Sequence, residues 1–421
     1  MDGNYVIIKN KGKTWKGKII QKKDRYVVLK LESGYNVGIL LDKNAEIKII
    51  KKSEKKKHKP IKFNILFNKE KPLLGILSAG GTIASSIDYE TGAISASYSA
   101  KDLVLAVPEL ANFANIKTRK IVEEMSENLL PKHWKKIAKE VSKELEDCEG
   151  VIITHGTDTL SYTSSALTFM LRNLNKPVVF TFAQKSPDRG SSDSAINLIC
   201  SAITATHNIA EVVVVGHATI SDDYCFIHRG TKVRKMHSSQ RNAFRTINCY
   251  PIGKVWPSGK IEFISKYKKR EDIKENFYLD DKLEEKVAIV KAYPGFNPEI
   301  IDWYIDKNYK GIIIEGTGLG HVNIKENSVI PKIERAVENG VVVCMTTQTI
   351  YGRVNPYVYS TGRKLLASGV IYLEDLLTET AYTKLMWVLG HTENLKEVKK
   401  LMLENLAGEF NNRLQPNQFL I

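Results

Sequence analysis

Two hydrophobic patterns divide the chain near residue 72. In the first 50 residues, short segments alternate apolar and polar positions and are separated by glycine-containing turns, Asn10-Lys11-Gly12 and Glu32-Ser33-Gly34. Such short strands with glycine turns predict a small β-barrel. The predicted strands are Tyr5–Ile8, Trp15–Ile20, Tyr26–Leu31 and Val37–Leu41. The charged run Lys51–Pro60 has no apolar periodicity and predicts an exposed linker.

Beyond residue 72, apolar segments alternate with amphipathic ones, which predicts a parallel sheet covered by helices on both faces. The predicted strands are Leu73–Leu77, Val151–Thr154, Val178–Phe182 and Val212–Val215, and the predicted helices are Ala100–Val107, Pro131–Glu146, Ser161–Leu171 and Ser192–Thr206. A polar break at Tyr267–Glu275 precedes a smaller α/β unit. Its predicted strands are Val287–Val290, Gly311–Ile314 and Val341–Met345, and its predicted helices are Pro298–Asp306, Ser328–Asn339 and Leu373–Leu389.

These patterns predict three domains and two connecting segments. A small basic β-barrel covers 1–50 and a lysine-rich linker 51–71. A large α/β domain with the active site covers 72–265, an interdomain linker 266–285, and a smaller C-terminal α/β domain 286–421.

Charge is concentrated at the start of the chain. Residues 1–62 hold 18 Lys and Arg against 6 Asp and Glu, which accounts for +12 of the formal net charge of +15. A basic segment on a nearly neutral body favours an anionic partner, nucleic acid first, although lysines on an ordinary solvated face would look the same. The 5 cysteines form no C-x-x-C pair, which argues against a zinc ribbon or a disulfide framework. No apolar run approaches the roughly 20 residues of a membrane span, so we expect a cytoplasmic protein.

Polar residues follow two of the predicted strands. Gly80-Gly81-Thr82 comes after Leu73–Leu77, and His155-Gly156-Thr157-Asp158-Thr159 comes after Val151–Thr154. Because the carboxyl ends of parallel strands meet at one edge of a sheet, these segments predict a single site there. Paired glycines let a substrate approach the main chain, and the threonines supply hydroxyl groups.

A threonine hydroxyl is a poor nucleophile unless a neighbour removes its proton. Lys235, in the basic segment Arg229–His237, is a candidate for that task, and with Thr157 and Asp158 it would form a relay if the fold brings the three together. The competing interpretations are a plain structural turn at the glycines and a solvated surface lysine. The chain lacks G-x-G-x-x-G and G-x-x-x-x-G-K-[ST], so no dinucleotide or P-loop phosphate site is predicted.

These motifs resemble those of the L-asparaginase type I/II family, in which a Gly-Gly-Thr turn precedes a His-Gly-Thr-Asp-Thr segment. The resemblance covers essentially the whole chain. Within the family, the chain is most similar to members that carry a small barrel ahead of the asparaginase-like body and serve in tRNA-dependent amidotransferases. Leu29–Gly38, Asp88–Ala93 and Thr347–Arg353 carry that closer similarity.

The resemblance implies catalytic roles for five residues. Thr82 matches the first active-site threonine and Thr157 the second. Asp158 matches the acidic residue that holds the substrate α-amino group, and Lys235 matches the lysine that polarises Thr157. Tyr89 falls in the segment that closes over the site in the family and helps to activate the first threonine.

The resemblance also implies substrate-binding positions. Ser126 and Glu127 match the positions that bind the α-carboxylate and α-amino ends of the substrate, and Gly81 and Gly156 line the site. Backbone N–H groups around Gly81 and Thr157 would hold the oxyanion. Ala79 replaces the threonine that most members carry before the glycines; because the nucleophile maps to Thr82, we expect the chemistry to survive. Which threonine attacks first is left open.

The implied fold is a small N-terminal β-barrel followed by a two-domain asparaginase-like α/β body with mainly parallel sheets. The implied activity is that of a glutaminase: Thr82 attacks the side-chain amide of glutamine, ammonia leaves, and water releases glutamate. A partner would use the ammonia to convert Glu-tRNA(Gln) to Gln-tRNA(Gln). The alternatives are a free-standing cytoplasmic L-asparaginase and a nucleic-acid-binding module on an inactive body. A free asparaginase has no need for the basic barrel and linker, which favours the first interpretation.

The expected partners follow from the same resemblance. They are glutamine, a second copy of the chain in a homodimeric core, a tRNA-binding protein of kinase/amidase type, and tRNA(Gln), with no membrane. No metal or organic cofactor is implied for this chain, whereas ATP and Mg²⁺ are expected in the partner protein.

Overall fold

The computed structural model describes residues 3–32, 36–52, 67–81, 83, 86–87, 94–95, 105–187 and 191–419. Most of the predicted linker and the first part of the predicted helix Ala100–Val107 lie outside the described residues.

The N-terminal segment folds into one antiparallel sheet, in agreement with the small β domain predicted for it. Its strands are β1 (Tyr5–Asn10), β2 (Lys13–Lys23), β3 (Tyr26–Leu31), β4 (Asn36–Leu40) and β5 (Glu46–Lys51), in the order β4-β3-β2-β1-β5. One face buries an apolar cluster of its own that includes Val6, Ile8 and Leu29. The sequence prediction missed β5 because the adjacent Ile49 and Ile50 obscure the alternation, and neither is buried on this edge strand.

The large domain is built from strands and helices in the following order. The strands are β6 (Leu73–Ser78), β7 (Ser86–Ile87), β8 (Ile94–Ser95), β9 (Asn115–Lys120), β10 (Gly150–Thr154), β11 (Leu171–Arg172), β12 (Val178–Thr181), β13 (Val212–His217), β14 (Cys225–Arg229), β15 (Val233–Lys235), β16 (Phe244–Thr246), β17 (Gly253–Val255) and β18 (Ile261–Phe263). The helices are α1 (Pro131–Asp147), α2 (Leu160–Met170) and α3 (Ser194–Ala205).

An eight-stranded sheet in the order β18-β17-β14-β13-β12-β10-β6-β9 forms the centre of this domain. The five strands from β13 to β9 are parallel, and all four predicted strands of this domain lie among them. The remaining three strands pair antiparallel. Strands β6 and β10 are adjacent, so their carboxyl ends lie side by side. This arrangement confirms a mainly parallel sheet.

The C-terminal domain contains a four-stranded parallel sheet in the order β20-β21-β22-β23. Its strands are β20 (Val287–Lys291), β21 (Gly311–Gly316), β22 (Val342–Thr347) and β23 (Ile371–Tyr372), and β19 (Tyr278–Leu279) pairs with β11 of the large domain. The helices are α4 (Glu299–Asp306), α5 (Ile330–Glu338), α6 (Ser360–Ala367), α7 (Thr378–Leu389) and α8 (Leu395–Leu403). The helix predicted from Leu373 begins five residues later, because Leu377 is still extended.

The two α/β domains share one apolar core. Helices α2 and α7 pack together, and the Phe169 and Trp387 rings stack with centroids 6.4 Å apart. In the same interface the hydroxyls of Ser165 and Thr380 are 2.9 Å apart. The shared core brings the start of α7 close to the carboxyl edge of the eight-stranded sheet. All five cysteines are free, four of them buried. Within the described residues, no helix is long and apolar enough to cross a membrane.

Candidate active site

Two glycines with left-handed backbone angles end β6. Gly80 and Gly81 have φ angles of +87° and +82°, a region that side-chain-bearing residues rarely adopt. A Cβ on Gly81 would overlap the backbone nitrogen and Cα of Gly156, and one on Gly80 would overlap the carbonyl oxygen of Glu124. Only glycine therefore allows these loops to approach each other this closely. The expected approach of a substrate to this main chain stays a prediction.

Main-chain hydrogen bonds join the end of β10 to the strands on either side, β6 and β12. The Ala79 N–H donates to the Thr154 carbonyl at 2.9 Å, and the His155 N–H donates to the Thr181 carbonyl at 2.9 Å. Ala79 is buried, and its hydrogen bond to β10 is made by the backbone N–H. The substitution of alanine for threonine at this position therefore leaves this strand-to-strand connection in place.

Thr157, Asp158 and Lys235 lie within hydrogen-bonding distance of one another. The Lys235 Nζ donates to Thr157 Oγ1 at 2.8 Å and to Asp158 Oδ1 at 2.6 Å. The Lys235 side chain is 14% exposed and the Asp158 side chain 61% exposed, so the lysine is largely buried and the carboxylate faces solvent. The fold thus brings Lys235 to two adjacent residues that lie 77 and 78 positions before it, and the catalytic roles of all three stay a prediction.

Ser126 supports the segment that carries Thr157. It is buried in a short turn, and its Oγ accepts the Asp158 N–H at 3.3 Å. Its carbonyl accepts the Thr159 hydroxyl at 2.7 Å. A Cβ on Gly156 would lie 2.7 Å from the Ser126 Cβ, so these two loops are also in close contact. Ser126 therefore belongs to the same cluster as the strand-end residues.

The remaining predicted site residues are Glu127, Thr82 and Tyr89. Glu127 is on the same turn as Ser126 and is exposed, with its side chain in no hydrogen bond to Thr157, Asp158 or Lys235 among the described residues. Thr82 and Tyr89 lie outside the described residues. The cluster reaches Gly81, the residue directly before Thr82.

His155 is placed as a structural residue. Its ring is fully buried, and the Nδ1 atom lies 2.7 Å from the Gly156 carbonyl oxygen. Burial lowers the pKa of His155 to about 4, so the ring is neutral near pH 7 and Nδ1–H can donate to that carbonyl. This contact shapes the turn that carries Thr157.

A cleft of about 460 Å³ adjoins the lysine. Its lining includes Asp158, Arg234, Lys235 and Glu379 of α7. Arg234 Nη1 lies 3.2 Å from a carboxylate oxygen of Glu379, which is 8% exposed. Burial raises the pKa of Glu379, and the nearby Arg234 opposes that shift. The sequence prediction missed Glu379 because 145 residues separate it from Arg234 and no local pattern connects them.

The strand that carries Lys235 is anchored by a buried ion pair. Lys232 and Asp375 have no exposed side-chain surface, and Nζ lies 2.7 Å from Oδ2. The same oxygen accepts the Asn411 side-chain amide at 2.6 Å, and the other accepts the Asn411 N–H at 3.1 Å. Lys232 stands three residues before Lys235. The pair therefore fixes the base of this strand to the C-terminal domain.

The described residues hold no cluster of three or more His, Cys, Asp or Glu that could bind a metal ion. The chemistry available at this edge is that of hydroxyl, carboxylate, amine and backbone N–H groups. Such a set suits acyl transfer at an amide carbon.

Comparison with known families gives the class of the body. A model described as "Asparaginase, N-terminal" matches residues 73–269, and one described as "Glutaminase/Asparaginase C-terminal domain" matches 286–402. The solved thermostable L-asparaginase from Thermococcus kodakarensis is 34% identical with a TM-score of 0.72, covering 81% of this chain and 100% of its own. L-asparaginase I from Vibrio cholerae is 27% identical, also with a TM-score of 0.72, covering 81% of this chain and 99% of its own. Fold and site define an asparaginase-type amidohydrolase body.

The remaining segment and the curated relatives are more specific. A model described as "GatD N-terminal domain" matches residues 1–50. The D subunit of glutamyl-tRNA(Gln) amidotransferase from Pyrococcus abyssi is 58% identical, covering 91% of this chain and 87% of the relative. Its counterpart from Methanothermobacter thermautotrophicus is 45% identical over 98% of this chain and 94% of the relative. The chain belongs to the family of glutamyl-tRNA(Gln) amidotransferase D subunits.

Proposed function

We propose that this chain is the glutaminase component of a tRNA-dependent amidotransferase. It hydrolyses glutamine to glutamate and ammonia, and a partner protein uses the ammonia to convert Glu-tRNA(Gln) to Gln-tRNA(Gln). The observation that carries the proposal is the similarity to D subunits over more than nine-tenths of the chain, together with the match of residues 1–50 to the GatD N-terminal domain.

The chemistry follows from the cluster at the sheet edge. Thr82, which follows Gly81, attacks the side-chain amide carbon of glutamine, and the amide oxygen becomes an oxyanion. The hydroxyl proton of Thr82 passes to the amide nitrogen, the C–N bond breaks, ammonia leaves, and an acyl ester on the threonine remains. Water then attacks the ester, and Thr157 with its Lys235 partner is placed to orient that water and pass the proton. Backbone N–H groups beside Gly81 are the candidates for holding the oxyanion.

Substrate recognition uses the polar groups around Thr157. The exposed Asp158 carboxylate is suited to the α-ammonium group of glutamine, since opposite charges attract most strongly at short range. Ser126, which lies beside Gly156, and Glu127 on the same turn complete the proposed α-carboxylate and α-amino contacts.

The test is ammonia release by the complex of this chain with its partner. Thr82→Ala should abolish release from glutamine, whereas Thr82→Ser, which keeps a hydroxyl, should retain part of it. Both variants should give the circular dichroism of the parent. A Thr82→Ala variant that retains a substantial rate would overturn the assignment of the nucleophile.

A second measurement separates the glutaminase from a free-standing L-asparaginase. Ammonia release is measured from glutamine and from asparagine, with and without the partner protein and charged tRNA. Strong stimulation of glutamine hydrolysis by the complex supports the proposal. Full activity on asparagine by the chain alone would favour the asparaginase.

The proposed assembly has a homodimeric core and a tRNA-binding partner, the E subunit of the amidotransferase, to which ATP and Mg²⁺ belong. Sedimentation of the purified chain tests the dimer, and a monomer would remove that part of the proposal. The glutaminase step needs no metal ion in the mechanism above, so we expect its rate to survive EDTA. Because tRNA amidation supplies translation, we place the complex in the cytoplasm.

A further inference from the structure

The N-terminal sheet has two chemically different faces. Val6, Ile8 and Leu29 belong to the buried face, and successive residues point to opposite sides of a strand. The positions that alternate with the buried ones form the opposite surface, here called the outer face. Along the strands this face carries seven lysines and one glutamate, Glu46; the lysines are Lys9, Lys16, Lys18, Lys23, Lys30, Lys48 and Lys51.

Strand register gathers these lysines into rows across the sheet. Tyr5 of β1 lies opposite Lys18 on one side and Lys51 on the other, and Lys18 in turn lies opposite Lys30. In the next row, Ile7 lies between Lys16 and Lys48. With strands ~4.8 Å apart, each row extends for roughly 10 to 14 Å.

The rows place like charges close together on one surface. Lys18 and Lys30, for example, lie directly opposite each other on neighbouring strands, and such clustering raises the positive potential of the outer face. Glu32 lies 3.1 Å from Lys16 and accepts the Tyr5 hydroxyl, and thereby reduces the repulsion at Lys16. A ligand that brings several negative charges to the outer face would reduce the repulsion across the rows as a whole.

Aromatic rings stand among the lysines. Tyr26 is 49% exposed, and its ring lies across Gly38 on the outer face, because a Cβ at position 38 would overlap its hydroxyl. Tyr5 lies within the first row, with Lys16 Nζ 5.9 Å from its ring centre. A surface that binds nucleic acid combines lysines that contact the phosphate backbone with exposed aromatic rings on which bases can stack. An acidic protein partner would use the charges but has no bases to stack on the rings.

We propose that the outer face of the N-terminal sheet binds RNA through its phosphate backbone. The inference rests on the proposed function only for the choice of tRNA as the RNA. Each phosphate neutralised by a lysine releases a counterion, so the affinity should fall steeply as the salt concentration rises. Contacts to phosphate carry little sequence information, and we therefore expect the face to tolerate changes of RNA sequence.

The test uses the full-length chain and fluorescently labelled tRNA(Gln), with binding followed by anisotropy between 50 and 300 mM salt. The variant Lys48→Gln/Lys51→Gln removes two charges from exposed positions of β5. Two fewer counterions, at a slope of about 0.7 to 0.9 each, predict a 20- to 60-fold loss of affinity at roughly 0.1 M salt. The matched control is Lys396→Gln/Lys399→Gln, which removes two exposed charges from α8.

The proposal predicts a large loss for the β5 variant, a shallower salt dependence, and an affinity near that of the parent for the α8 control. Equal losses in both variants would mean a general charge effect and would overturn it. Unchanged RNA binding together with weakened association with the partner protein would also overturn it, because the face would then bind protein. Basal glutamine hydrolysis should stay unchanged in both variants, and this readout separates a failure here from a failure of the glutaminase proposal.

Discussion

Removing the negative charge from Asp375 should destabilise the joint between the two α/β domains. The carboxylate is completely buried, and its two oxygens accept hydrogen bonds from Lys232 and from both the backbone and the side chain of Asn411. Asp375→Asn preserves the shape but replaces one acceptor oxygen with an NH₂ donor. In either orientation of the new amide, at least one of these donors loses its acceptor, and the Lys232 ammonium loses its counter-charge.

The expected magnitude follows from the burial of both partners. Breaking a buried ion pair by removing one partner costs about 3 to 5 kcal/mol, because an uncompensated charge is left behind. The pair Lys310 and Glu393 has the same charges at 3.3 Å, but the side chains are 42% and 77% exposed. For Glu393→Gln we expect about 0 to 1 kcal/mol, since solvent screens an exposed pair. The two substitutions therefore differ mainly in burial.

The assay is urea unfolding followed by tryptophan fluorescence, with each variant compared with the parent. The double variant Lys232→Met/Asp375→Asn leaves no buried charge at this position and should recover at least about 2 kcal/mol relative to the sum of the two single variants. If Asp375→Asn costs no more than Glu393→Gln, the reasoning is refuted. An additive double variant would refute the claim that the two groups act as a pair.

Three further substitutions test the site and its surroundings. Gly81→Ala must adopt a left-handed φ, at a cost of about 1–2 kcal/mol, and must displace Gly156; glutaminase kinetics should show a loss of at least about tenfold, and the parental rate would contradict this. Lys235→Met removes the 2.8 Å hydrogen bond to Thr157, and kcat should fall by about 10² to 10⁴ with unchanged circular dichroism. Burial lowers the pKa of His228 to about 3, so the parent loses stability as the pH falls below the unfolded value near 6.5. Because His228→Gln removes this titrating group, its free energy of unfolding relative to the parent should rise by about 1.4 kcal/mol for each pH unit below that value. A constant difference in urea unfolding between pH 7 and 5 would contradict this.

Local patterns along the chain were sufficient for the parallel part of the fold. Strands such as Val151–Thr154 and Val212–Val215 are buried on both faces, so they are continuous apolar runs that only a covered sheet accommodates. The three antiparallel strands at one edge of the large sheet were not predicted, because two of them have only 3 residues, too few for a period of two to emerge. Strand β9 also escaped prediction, since most of its residues are polar or charged and it lies at the other edge.

The residues of the candidate site were likewise predicted only in part from the sequence. Thr157 and Asp158 were identified because they directly follow a strand, and strand ends converge in any parallel sheet. Lys235 was identified through its motif, and the structure places it against both. Asp375 and Glu379 belong to the other domain, and no local pattern predicts which residues a distant segment brings to a site. Their contacts arise only when α7 packs against the large domain.

The buried ion pair between Lys232 and Asp375 is expected to position Lys235 rather than to add net stability. The domains already share an apolar core, and desolvating two charges offsets most of the energy gained from pairing them. We expect the pair to set the position of β15, because Asp375 accepts from only a few fixed donors and Lys232 directly precedes the strand that carries Lys235. The double variant Lys232→Met/Asp375→Asn should therefore regain stability without regaining the parental kcat. If stability and kcat recover together, the pair is a structural connection only, and Lys235 is positioned by its own contacts with Thr157.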